Sequence, residues 1–186
     1  MSWLKFIQGD TIAFEQIYST YVDDLYLYGI NYYADKETII DHIHDLFVDI
    51  FNNPKIAKEV NIKYYLFSSL RRRLLRIKNS TENQNVVSLT DAMNWADEYE
   101  LDKINSELKE EQIQKLQERF ELLPKRQKEV LFLKYYAGLN YEQISDMMDI
   151  SIETCRTLSF RGIKKLKLDL SQPEMLSLFF LYIFSK

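Results

Sequence analysis

"LNYEQISDMMDISIETCRTLSFRGIKKLK", residues 139–167, carries the pattern on which the fold turns. Asn140 is suited to cap a short helix from Tyr141 to about Met148, and "DIS" at 149–151 makes a tight turn. Ser151 then caps a second helix by accepting from the backbone N–H near Thr154. Within that helix Cys155, Leu158, Ser159, Gly162 and Leu166 fall at offsets 0, 3, 4, 7 and 11, a single inward stripe. Gly162 in that stripe is small enough to allow close helix contact. Thr154, Arg156, Thr157, Phe160, Arg161 and Lys164 point the other way. A short helix, a tight turn and a second helix with a cationic outer face is the helix-turn-helix layout. Its second helix can enter a major groove and offer side chains to base edges.

Outward from this stretch, the composition predicts an all-α chain. Among 186 residues there are only four glycines and three prolines, too few for the many turns of a sandwich or barrel. With 46% hydrophobic residues the chain can bury one compact core or two small ones. The single Cys155 forms no internal disulfide, and the cytoplasm is the expected compartment. "MSWLKFIQGD" lacks the apolar core of a signal peptide. The longest apolar run, "MLSLFFLYIF" at 175–184, is roughly half of a membrane span, so the protein itself is not expected in a membrane.

The net charge of −4 averages segments of opposite sign. Residues 63–78 hold Lys63, Arg71, Arg72, Arg73, Arg76 and Lys78 with no acid among them. The helix after Ser151 is a second basic cluster. Between the two, residues 91–121 contain ten acids against Lys103, Lys109, Lys115 and Arg119. A phosphate polymer responds to potential within about a Debye length rather than to the net charge. Two basic patches can therefore bind nucleic acid at two places.

Other elements follow from periodicity. Residues 10–29 place Phe14, Ile17, Tyr18, Tyr21, Leu25 and Tyr28 on one helical stripe. A helix from about Lys36 through "DHIHDLFVDIFNN" puts Ile40, Ile43, Phe47, Ile50 and Phe51 on its apolar side and stops before Pro54. A third helix runs from about Lys63 to Lys78, and "NSTENQNVVSLTD" at 79–91 reads as a linker. "EEQIQKLQERFELLP" carries Ile113, Leu116, Phe120 and Leu123 on a stripe, and Pro124 and Gly138 bracket the helix that follows. The expected division is 1–80, a linker over 81–110, 111–170, and a hydrophobic tail over 171–186.

Taken together, these motifs resemble a sigma-70-family factor of the ECF (extracytoplasmic function) group, the promoter-recognition subunits of bacterial RNA polymerase. "LPKRQKEVLFLKYYAGLNYEQISDMMDISIETCRTLSFRGIKKLK" is similar to region 4 almost without a gap, with Cys155 in place of a common Val and Gly162 in place of a common Ala. "GDTIAFEQIYSTYVDDLYLYG" is similar to the opening of region 2, and "DHIHDLFVDIFNN" to its polymerase-docking segment.

The resemblance implies a three- or four-helix region 2 bundle and a region 4 helix-turn-helix, joined by an acidic linker. It implies that Ser151, Glu153, Thr154, Arg156, Thr157, Phe160, Arg161, Lys164 and Lys165 face a minus-35 element. It assigns a melted minus-10 element to Asn61, Lys63, Tyr64, Tyr65, Arg71, Arg72 and Arg76, although at least one of the two tyrosines is expected in the core. Asp41, His44, Asp45 and Phe47 match the docking helix, with Phe51 expected inside the bundle. Arg72 departs from the pattern, standing where many relatives carry an asparagine.

The implied partners are core RNA polymerase, through its beta-prime clamp helices and beta flap, promoter DNA and an anti-sigma factor. No catalytic residues, cofactor, metal or small-molecule substrate are expected. The chain shows no phosphate-cradling glycine loop or nucleophile–base motif, and His42 and His44 diverge by about 200° on a helix. Two other readings stay open: a stand-alone helix-turn-helix regulator, and a helical adaptor whose basic faces are merely solvated.

Overall fold

A computed structural model describes residues 2–30, 35–53, 60–80 and 118–166, with the side chains of 2 and 77–80 outside the description. The chain divides into two compact units, Met1–Val87 and Ser88–Lys186. Every element among the described residues is a helix. The acidic linker, Ile113 and Leu116, and the apolar tail lie outside the described residues.

In the first unit, α1 (Ser2–Ile7) leads into α2 (Thr11–Gly29), α3 (Lys36–Phe51) and α4 (Ile62–Ser80). Each long helix begins at a side chain that satisfies an orphan backbone donor. The Asp10 carboxylate accepts from the Ala13 N–H at 3.1 Å, Asp35 from Thr38 at 2.9 Å, and the Asn61 carbonyl from Tyr64 at 3.0 Å. The core is formed where Leu25 and Tyr28 of α2, Ile39 and Ile43 of α3, and Leu66, Phe67, Leu70 and Leu74 of α4 lose almost all solvent exposure. Each such side chain contributes about 1.5–3 kcal/mol on leaving water, which helps to hold α2, α3 and α4 together. At one end, α1 adds an aromatic seam. Phe6 lies 5.2 Å from Phe14, and Phe14 lies 6.0 Å from Phe47. Trp3 and Phe6 are buried, although the periodicity of the sequence had not marked this segment as a helix.

The buried stripe of α3 differs from the expected one. Ile39, Ile43, Leu46, Phe47 and Ile50 face inward, whereas Ile40 is 55% exposed and Phe51 52% exposed. One residue along a helix rotates a side chain by about 100°, enough to carry Ile40 and Phe51 off the seam. Phe51 still rests its edge against Phe14, 5.1 Å away.

In the second unit, residues 118–121 precede α5 (Lys125–Leu131), a π-helical turn (Phe132–Tyr136), α6 (Tyr141–Met148) and α7 (Ile152–Leu166). Pro124 occupies the position before α5, where its missing N–H costs nothing. The expected single helix from Pro124 to Gly138 is instead widened at its end. The Ala137 N–H donates to the Phe132 carbonyl at 2.9 Å, a five-residue step. Gly138, at φ +70°, then turns the chain into α6. Phe120, Leu123, Val130, Leu131, Ile144, Met148, Cys155 and Leu166 form the core of this unit. At Gly162, a Cβ would meet the terminal Leu131 Cδ1 at 2.8 Å, so α5 and α7 approach closely there and a side chain would need that methyl to shift.

Candidate nucleic-acid interface

The α6–α7 pair is fixed at each of its ends by short polar side chains. Asn140 accepts from the Gln143 N–H at 2.8 Å, and the Gln143 side chain accepts from the Asn140 N–H at 3.0 Å, a reciprocal capping box. Asp149 takes the left-handed conformation at φ +53°, and the Ser145 hydroxyl donates to the Ile150 carbonyl at 2.5 Å, so the turn closes in three residues. Ser151 accepts from the Thr154 N–H at 3.1 Å and shares a second bond with its hydroxyl at 2.8 Å. The orientation of α7 is thus set by local chemistry before any packing is counted.

The inward face of α7 is Cys155, Ser159, Gly162, Ile163 and Leu166. Leu158 sits at the half-exposed rim, and Ile163 takes the buried place opposite it. The stripe is rotated slightly from the one expected. Burial pushes the Cys155 thiol above its ordinary range, which makes it a core side chain and not a thiolate nucleophile. Ser151, Glu153, Thr154, Arg156, Phe160, Arg161, Lys164 and Lys165 all lie exposed, and Thr157 is half-buried. Among the described residues Arg161, Lys164 and Lys165 have no ion-pair partner. Arg156 is 3.8 Å from Glu153, with both side chains largely in solvent, a pair worth little to stability. Phe160, 53% exposed, is the one large apolar side chain on this cationic face.

The second basic cluster behaves differently. On α4, Lys63 pairs with Asp24 of α2 at 3.3 Å, and Arg73 pairs with Asp49 of α3. Tyr65 packs edge-on against Trp3, 5.8 Å between centroids, and both Tyr64 and Tyr65 are half-buried. Arg72 and Arg76 are exposed, Arg71 half-buried, and Arg72 donates to the Ser69 hydroxyl at 3.3 Å. The structure thus gathers Asn61, Lys63, Tyr64 and Tyr65 around the first turn, while Arg71, Arg72 and Arg76 lie roughly 15 Å further along the helix.

On α3, Asp41, His44 and Asp45 share an exposed face. Phe47 does not join them: it is 2% exposed, wedged against Phe14 and against Tyr18 at 4.8 Å. An apolar contact offered by this face comes from Val48, 40% exposed and three residues past Asp45. The i, i+3 step from Asp45 was the available signal, overshadowed by the larger aromatic beside it. Among the described residues no group of three or more His, Cys, Asp or Glu side chains is placed to hold a metal ion, and no helix is long and apolar enough to cross a membrane.

Residues 113–166 match the model for sigma-70 region 4. Over these residues the chain is similar to sigma-70 region 4. No curated protein sequence matches the chain. Its fold is similar to that of the sigma factor RpoE from Bartonella quintana, solved in complex with the anti-sigma factor NepR. That likeness has a TM-score of 0.52 at 16% identity, over 83% of this chain and 94% of the other. The region 4 match ends at Leu166, the last residue of α7, so the capped helix pair and its cationic face lie wholly inside it.

Proposed function

We propose that the protein is an ECF-type sigma factor, which binds core RNA polymerase and directs it to promoters. The observation that carries this reading is α7 itself. It is a second helix capped by Ser151 inside a sigma-70 region 4 match, with Arg161, Lys164 and Lys165 exposed and unpaired among the described residues. Such cations can hold the helix against phosphates while Arg156, Thr157 and Phe160 meet base edges of a minus-35 element. Ser151, Glu153 and Thr154 stand at the N-terminal turn, which commonly lies deepest in a major groove.

The first unit takes the polymerase and the melted strand. Asp41, His44, Asp45 and Val48 form the docking face on α3. Asn61, Tyr64 and the exposed Arg72 and Arg76 of α4 bind single-stranded DNA. Stacking on a half-exposed tyrosine adds about 1–3 kcal/mol per captured base. The chain supplies recognition while the polymerase performs the chemistry, so it carries no catalytic residues and works in the cytoplasm. An anti-sigma factor is a further partner, a reading supported by the complex in which RpoE was solved.

In vitro transcription with purified core polymerase and a library of promoter fragments tests the reading. Initiation at a defined subset of promoters is expected. Tight, sequence-specific duplex binding without polymerase, and no initiation with it, would instead identify a stand-alone regulator.

A further inference from the structure

Tyr141 opens α6, yet its side chain is shared among three elements. Its hydroxyl donates to the Ser159 Oγ at 3.2 Å, and Ser159 is 1% exposed on the inner face of α7. Its ring lies beneath two cations, with the Lys134 Nζ 4.8 Å and the Arg156 guanidinium 6.0 Å from the centroid. Lys134 reaches it from the π-helical turn, and the neighbouring Tyr135 hydroxyl joins the same Ser159–Tyr141 hydroxyl cluster. Burial is the main cause that holds the Tyr135 hydroxyl above its ordinary range, so that group stays a neutral partner at working pH.

We infer that Tyr141 is a positioning residue for base reading: its ring holds the Arg156 guanidinium in a preset direction above the outer face of α7. This rests on the proposed DNA-reading role of α7. Arg156 is otherwise a long exposed side chain with a loose contact to Glu153, and its rotamer freedom would have to be lost on binding DNA. A ring anchored at its far end to a buried serine removes part of that freedom beforehand. The cation over an aromatic face is the attractive element, and the guanidinium plane stays free to present its fork to a base. Arg161, Lys164 and Lys165 have no such platform among the described residues, which suits contacts that follow the phosphate backbone without choosing a base.

The test uses the holoenzyme, formed from the full chain and core polymerase, with run-off transcription from promoters that differ at single minus-35 base pairs. Arg156→Ala flattens the preference at one base pair by roughly tenfold to a hundredfold. Tyr141→Leu flattens the preference at that same base pair by about two- to fivefold, adds nothing on top of Arg156→Ala, and leaves the other positions alone. Tyr141→Phe, which keeps the ring and loses only its hydroxyl anchor, restores most of the preference.

In the free chain, NMR ring-current shifts of the Arg156 side-chain protons are expected in the wild type and in Tyr141→Phe, and lost in Tyr141→Leu. The inference is overturned if Tyr141→Leu lowers output equally across all base pairs, or leaves the Arg156 position unchanged while Arg156→Ala flattens it. An Arg156→Ala variant with an unaltered preference everywhere removes base reading by Arg156, and the role of Tyr141 with it.

Discussion

The two basic clusters, α4 and α7, look alike as strings of Lys and Arg and differ as surfaces. On α4, Lys63 and Arg73 are held by Asp24 and Asp49, acids contributed by neighbouring helices from distant points of the chain. On α7, the cations at Arg161, Lys164 and Lys165 stand exposed, and Glu153 touches Arg156 loosely. A charge run read along one helix counts only its own residues. Surface potential counts every residue that folds beside it, and burial decides how strongly each is felt. Among the described residues the α4 cluster is therefore partly paired, with Arg72 and Arg76 exposed toward the distal end, while on α7 Arg161, Lys164 and Lys165 stand exposed without an ion pair.

That contrast is open to direct attack. Arg161→Ala with Lys164→Ala is expected to weaken duplex promoter binding by the holoenzyme about tenfold or more, and to make its salt dependence shallower by about two. Arg72→Ala with Arg76→Ala is expected to leave duplex binding intact and slow strand opening, followed by permanganate reactivity of the melted segment. Equal effects of the two double variants on both readouts would erase the distinction.

A methyl added at a helix contact sharpens the comparison through stability. Gly29→Ala places a Cβ 2.6 Å from the Ile39 Cγ2, a branched methyl that cannot swing aside, and is expected to cost about 1–3 kcal/mol in thermal or denaturant unfolding. Gly162→Ala meets instead a terminal methyl of Leu131 at 2.8 Å. The helix preference for Ala, about 1 kcal/mol over Gly, offsets the smaller shift, so stability stays within about 1 kcal/mol of the parent. A larger loss at Gly162 than at Gly29 would reverse the assignment of the tighter contact.

Smaller effects probe the caps and the ion pairs. Ser151→Ala removes the α7 cap and is expected to cost about 1 kcal/mol, measured by chemical unfolding. Asp24→Asn with Asp49→Asn is expected to change stability by about 0.2–1 kcal/mol per pair, since both pairs are partly solvated. The same variant removes the Asp24 and Asp49 charges beside Lys63 and Arg73, and so steepens the salt dependence of single-strand binding.

The smallest expected effect is at Asp35. Its side-chain and backbone hydrogen bonds from Thr38 hold its carboxyl below the ordinary carboxylate range. A depressed folded pKa contributes stability above the unfolded value, and that contribution fades as pH falls through the folded value. The melting difference between wild type and Asp35→Ala is therefore expected near neutrality and to close below about pH 4.

Sequence alone settled what local chemistry controls. Asn140, Ser151 and the left-handed turn between them fix the helix pair with bonds that span three to five residues, so their spacing in the chain is already their geometry. The capped helix α7, its outer face and the all-helical class were legible for that reason. Tertiary structure alone decided matters that depend on a neighbour from elsewhere. It buried Phe47 and exposed Phe51 by setting the rotation of α3 against Phe14, and it matched Lys63 and Arg73 with acids on α2 and α3. It also widened the end of α5 into a π turn and carried Lys134 and Arg156 to the Tyr141 ring. Periodicity gives a helix its faces, but which degree of that face meets the core, and which charge meets its opposite, follows from packing between segments far apart in the chain.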